Sequence, residues 1–299
     1  MENKKKTRKT GIILGYIALT LIIIGLIIYI LFDKGIILNN SNNKKDSNKT
    51  VEDKKEVVEK QLENETTKNE LKEKIAAILG VEYTDESVNK YSTDRTKILT
   101  DKFSLTDDYK LEIAINNIKQ ANIPTNVTNI DIDPIESLGL NNNTIKERLL
   151  GAMQVSVNEV EEKYKELFGT DIKEFKSLGT TYKQPLYVYD KGNNVYYIIN
   201  VGGSTTTTNT YLYNNKYTTK GDNAYVYVNF GISEYNIDTN LYDIYKDAVN
   251  KTIYKAGVDE TSVSSFKIDS SNYKEFSEYK FQFTKNNDGS YYFSNVESN

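Results

Sequence analysis

Few residues in this chain are of a type and spacing that could do chemistry, and the first are Asp131, Asp133 and Glu136 in the run NIDIDPIES. Alternating carboxylates on a loop can gather around a hard cation such as Ca²⁺. The EF-hand frame also needs Gly at its sixth position and Glu at its twelfth, and neither stands here. A solvated loop held by Asx turns accounts for the same residues. Two of these acids could instead serve as acid and base of a glycosidase, provided their carboxyls lie about 5 to 9 Å apart. The residues alone assign no catalytic, cofactor-binding or metal-ligating role, and whether this cluster forms a site depends on geometry.

Two further stretches match chemical motifs only in part. Ser264-Ser265-Phe266-Lys267 has the S-x-x-K spacing of penicillin-binding proteins and β-lactamases, but the companion S-D-N and K-T-G are missing and the surroundings read as strand or loop. Val201-Gly202-Gly203-Ser204 lacks Walker spacing and a following helix, so it reads as a hairpin connection rather than a phosphate cradle. The 24 Tyr and 10 Phe supply an aromatic surface, on which Tyr225 and Tyr227 could stack on a sugar or anchor a protein. Tyr is also simply at home on a half-buried pleated sheet.

What is missing narrows the classes further. The chain has no Cys, no His and no Trp. Disulfide frames, thiolate catalysis and Cys-based metal sites are excluded, and so are Ser-His and Cys-His dyads. The expectation is therefore a protein that is not an enzyme, with a surface glycan hydrolase using a carboxylate pair as the alternative. Lys outnumbers Arg 35 to 3, as AT-rich bacterial coding would give. Residues 71 to 299 carry 25 basic and 32 acidic side chains, interspersed without a basic stripe. Such a surface repels phosphate backbones, and nucleic acid is not an expected partner.

The elements that would position these residues begin with an anchor. Residues 11 to 32, GIILGYIALTLIIIGLIIYILF, are uncharged and contain nine Ile and five Leu. At about 1.5 Å per residue they span roughly 33 Å as a helix, the thickness of bilayer hydrocarbon. Lys4, Lys5, Lys6, Arg8 and Lys9 precede them, which predicts a cytosolic N-terminus at 1 to 10 and an exported remainder. The run is long for a cleaved signal peptide, and LFDKGIILNN offers no small-x-small cleavage site. An inverted anchor is the alternative topology, because Lys44, Lys45 and Lys49 weaken the charge contrast. Gly11 and Gly15 form a small-xxx-small pair that could bring two anchors together.

Residues 33 to 70 read as a polar tether followed by a solvated helical stalk, helical composition running from Val51 to Leu79 with Glu56 and Lys60 as an i,i+4 pair. A folded α+β domain is expected over 71 to 299, helical over 71 to 180 and an antiparallel sheet over 181 to 299. Leu71, Ile75, Ile78 and Leu79 make a buried stripe ended by Gly80. A second helix is capped by Thr106 and stopped by Pro124; capping boxes at Thr144 with Glu147 and at Ser156 with Glu159 start two more. Val160, Tyr164, Leu167 and Phe168 are the apolar face of the last, which Gly169 ends. From about Pro185 the period becomes two: LYVYD, VYYIINV, TYLYN, AYVYVNF, LYDIY, TIYKA, EYKFQFT and SYYFSNV alternate with turns such as DKGNN, NNK, KGDN and NNDG. A brief helix is expected within 271 to 277. Helices, then hairpins, then a closing hairpin generically resemble a curved sheet around helices, as in cystatin-like or NTF2-like folds. The resulting expectation is a single-pass, membrane-anchored extracytoplasmic domain that binds a protein or envelope polymer.

Overall fold

The computed structural model describes residues 58–81, 83–84, 87–88, 98–99, 105–179, 186–199 and 208–298. The anchor at 11 to 32, its Gly11 and Gly15, the tether and the Val201 to Ser204 loop lie outside the described residues. Among the described residues no helix is long and apolar enough to cross a membrane.

The described chain is α+β with antiparallel sheets. In order, its elements are β1 (Lys60–Gln61), α1 (Glu65–Leu79), β2 (Tyr83–Thr84), β3 (Ser87–Val88), α2 (Asp107–Asn116), β4 (Ala121–Asn122), α3 (Ile145–Arg148), β5 (Met153–Ser156) and α4 (Val157–Phe168). They continue as β6 (Leu186–Asp190), β7 (Val195–Ile199), β8 (Thr208–Lys220), β9 (Asn223–Asn236), β10 (Leu241–Tyr245), β11 (Ile253–Val258), α5 (Glu260–Ser265), β12 (Ser277–Lys285) and β13 (Tyr291–Ser298). Every strand pair is antiparallel.

The large sheet is built on β9. β8 pairs along one edge of it, while the other edge is shared, β12 pairing with its first half and β10 with its second. Even-numbered residues of β9, Val226, Val228, Phe230 and Ile232, enter the main core. There they meet Leu71, Ile75 and Ile78 of α1, Leu111 and Ile115 of α2, and Val160, Tyr164 and Leu167 of α4. The helices are thus covered on their far side too, by Val155, Tyr187, Tyr196 and Ile198 of a second sheet ordered β4-β5-β7-β6. Its other face, Leu186, Val188, Tyr197 and Ile199, packs on Ile132, Ile135, Leu140 and Ile145. Covered on both faces, LYVYD is buried at every position but Tyr189. A third, aromatic cluster lies on the outer face of the large sheet, where Tyr211, Tyr242 and Ile244 are roofed by Val263, Ile268 and Phe276.

Several expected elements form as the residues require. Gly80 ends α1 at φ 66 and Gly169 ends α4 at φ 69. Thr106 Oγ1 accepts the Tyr109 N–H at 3.3 Å and caps α2. The brief helix is the 3₁₀ turn Tyr273–Glu275, and the closing hairpin turns at 286–289.

Other expectations are corrected. The helical run does not include Lys60, which with Gln61 pairs with β8, and Leu62 follows into the core. The first helix starts only at Glu65, where Asn64 Oδ1 accepts the Thr67 N–H. The second ends at Asn116 rather than near Pro124, because the Asn117 amide turns back to the Ile113 and Ala77 carbonyls. Residues 71 to 180 are not helical throughout, since β4 and β5 lie there and pair into the second sheet. Neither capping box forms: Ser156 makes no side-chain cap bond, and Thr144 Oγ1 donates to the Gly139 carbonyl instead. NNK is no turn but a bulge within β8, between Asn214 and Lys216.

Candidate functional site

The carboxylate loop is placed by a buried acid that no sequence motif marks. Asp190, at the end of β6, is wholly buried. Its carboxylate accepts from the Asp131 N–H at 2.9 Å, the Gly192 N–H at 3.0 Å, Asn193 Nδ2 at 2.7 Å and Tyr197 Oη at 2.7 Å. These four donors hold the charge inside the protein and clamp the 129–133 segment to the β6–β7 turn. Gly192 is required there by contact, because a Cβ would lie 1.7 Å from the Asn129 carbonyl oxygen.

Within that clamp the three sequence candidates do different things. Asp133 Oδ2 accepts the Ser177 N–H at 2.7 Å, while Ser177 Oγ donates to the Asp133 carbonyl at 2.6 Å. This carboxylate therefore ties the 177–178 segment against β6. Asp131 is exposed, its backbone bonded to Asp190 and Lys191. Glu136 is exposed in the first turn of the 3₁₀ helix Glu136–Leu138. A shallow depression of about 190 Å³ adjoins the loop, but Ile132, Pro134, Asn141, Asn142 and Asn143 line it, and no carboxylate does. Among the described residues no group of three His, Cys, Asp or Glu could hold a metal ion.

The tyrosine face is less open than alternation suggests. Odd-numbered residues of β9 do point away from the main core, but Tyr225 and Asn229 are buried. Lys280 Nζ lies 4.3 Å from the Tyr225 ring centroid, and Lys216 Nζ lies 4.7 Å from that of Tyr227. Lysine caps the ring faces on which a sugar would stack. Tyr227 Oη donates to Glu59 Oε1 at 3.0 Å, and burial, with that carboxylate second, pushes the phenol up to about 12. Asn229 is held by Asn215 and by the Phe276 carbonyl, far from any open surface. The S-x-x-K stretch does meet a helix, contrary to expectation: Ser264 and Ser265 close the six-residue α5, which Phe266 ends before Lys267.

Among the described residues the large exposed apolar side chains are Val58, Leu150, Tyr235, Ile237, Val249 and Ile253. Tyr235 and Ile237 lie where β9 turns into β10, Ile237 being 80% exposed, whereas Val249 and Ile253 lie at the other end of β10, where Tyr245 pairs with both Ile253 and Ile232. The chain enters the domain at the end of β9 opposite the β9–β10 turn, where β1 pairs with Thr218 and Thr219 of β8. From Ala224 to Tyr235 the separation along the strand is roughly 36 Å at about 3.3 Å per residue. Sequence alternation could not reveal the exposure of Ile237, since it lies on a turn.

Compared with protein-family models, with curated proteins and with solved structures, the chain matches none.

Proposed function

We propose that this chain is a single-pass membrane protein, anchored by residues 11 to 32 as an uncleaved signal-anchor, whose α+β domain stands outside the cytosol and binds a protein or cell-envelope polymer without catalysing a reaction. The anchor rests on its uncharged length and on the basic residues before it. Binding rests on one observation, the exposure of Tyr235 and Ile237 together at the β9–β10 turn, the end of the sheet away from the entering chain. Single exposed apolar groups are ordinary; two adjacent ones on one turn, with Ile237 80% exposed, are the anchor such a partner surface would be built on. The cystatin-like or NTF2-like comparison goes no further than a sheet with helices on one face. No observation favours glycan hydrolysis, because the Asp133 carboxylate is engaged by Ser177 and the neighbouring depression has no acidic wall.

The test is made on intact cells with the full chain. Added protease should cleave residues 71 to 299 while sparing a cytosolic control, and protection of that region would overturn the topology. Crosslinking on the same cells should recover a partner with the unaltered chain and lose it with Ile237→Lys; equal recovery from both would remove the binding surface.

A further inference from the structure

Exposed sheet edges invite pairing by other chains, and folds guard them. Three edges here are guarded by fixed devices. On β13, the Tyr291 N–H is taken by Glu70 Oε1 at 2.9 Å. The β6 edge is closed by bridges from Ile132 to Asp190 and from Leu178 to Tyr187. β11 is interrupted by register shifts against β10 and by Gly257 at φ 67, a geometry that a regular incoming strand cannot follow.

The outer edge of β8 is guarded differently. Among the described residues β1 is its one paired strand there, through Lys60 to Thr219 and Gln61 to Thr218. The Leu62 N–H then donates to the Tyr217 carbonyl at 3.0 Å. Leu62 is the one buried side chain of the segment 58–62. Glu59 adds a solvent-facing bond to Tyr227 and lies 3.7 Å from Lys216 Nζ. Beyond Leu62 come Glu63 and Asn64, both exposed, and then α1, whose Leu71, Ile75 and Ile78 are each fully buried in the core. Apart from Leu62, which enters the main core, the contacts holding 58–62 are few and local.

We propose that residues 58–62 are a detachable guard of the β8 edge, opening as a unit about Glu63 and Asn64 while α1 and the sheet stay folded. Everything N-terminal to Val58 is joined to the domain through this segment. Opening of the segment uncovers the backbone of Tyr217 to Thr219. The inference does not depend on what the domain binds.

Hydrogen exchange of the full chain at low denaturant tests it. The Leu62 amide should exchange through an opening that is more frequent, and less dependent on denaturant, than the opening that releases the Val226 and Val228 amides of β9. Glu59→Ala removes the bond to Tyr227 and should raise the Leu62 rate about five-fold, leaving Val226 and Val228 unchanged. The proposal is overturned if Leu62 exchanges with the same free energy and denaturant dependence as Val228, or if Glu59→Ala accelerates all three amides alike.

Discussion

Glu70 and Tyr291 are 221 positions apart in sequence, and Glu70 Oε1 accepts the Tyr291 N–H at 2.9 Å, joining α1 to the start of β13. The same carboxylate oxygen lies 3.7 Å from Lys74 Nζ, whose side chain is 5% exposed and which donates to the Glu166 carbonyl of α4. One pair thus connects the first helix, the last strand and α4.

The two partners of this cluster should respond unequally to removal. Glu70→Ala leaves the Tyr291 N–H and a buried ammonium short of partners, and should cost about 1 to 3 kcal/mol. Lys74→Met frees Glu70 and Glu166, whose side chains are 33% and 48% exposed and can be rehydrated, so it should cost less. Urea unfolding of the two variants gives the comparison, and a larger loss for Lys74→Met would contradict it.

Glycine substitutions should separate contact from backbone strain. At Gly192 an added Cβ meets the Asn129 carbonyl oxygen at 1.7 Å, so the loop bearing Asp131 and Asp133 must move. At Gly289, φ is +95 but the nearest heavy atom to an added Cβ is 4.0 Å away. Gly289→Ala should therefore cost roughly 1 to 2 kcal/mol of left-handed strain. Gly192→Ala should cost more and also speed exchange of the Asp131 amide, which the Asp190 carboxylate now holds. Equal thermal shifts with an unchanged Asp131 amide would refute the close approach.

These contacts show what the sequence can and cannot disclose. The strands from Leu186 onward are legible because Tyr, Val and Ile alternate between Gly, Asn and Asp turns. β5 was hidden because its four residues run directly into α4 and are paired with β7 some 40 positions later. Asp131, Asp133 and Glu136 are visible as acids, but the engagement of Asp133 depends on Ser177, 44 positions away, and the clamp on Asp131 depends on Asp190. Asp190 itself reads only as the last residue of a strand. Likewise, alternation puts Tyr225 on the outer face of β9, but only the pairing with β12 brings Lys280 over its ring.

Tyrosine burial makes a pH prediction with a definite sign. Burial pushes the phenols of Tyr211 and Tyr217 up to about 12, and raises Tyr196 and Tyr197 as well, the latter helped by the bond to Asp190. Unfolded tyrosines ionise near pH 10. Below that pH both states keep their phenolic protons and the contribution is constant. Above it the unfolded chain has lost protons that the native state retains, so stability falls by up to about 1.4 kcal/mol per pH unit for each such residue. Urea midpoints should fall steeply between pH 10 and 12, and Tyr211→Phe should flatten the slope. A slope identical to that of the unaltered chain would show that the Tyr211 phenol ionises natively.

Helix caps provide the last comparison, because sequence and structure disagree about which serine or threonine matters. Thr106 and Asn64 both accept the N–H three residues ahead, at 3.3 and 3.0 Å, so Thr106→Ala and Asn64→Ala should each cost about 1 kcal/mol. Ser156 has the capping-box spacing to Glu159 and ends β5 opposite Val195, but it makes no cap bond. Ser156→Ala should therefore change stability by less than about 0.5 kcal/mol. The Ser156 backbone, at φ −71 and ψ 138, is that of an ordinary N-cap, so what is missing is only the turn of its side chain toward the helix N–H groups. If Ser156→Ala proved as costly as Thr106→Ala in chemical denaturation, the capping box would form in solution.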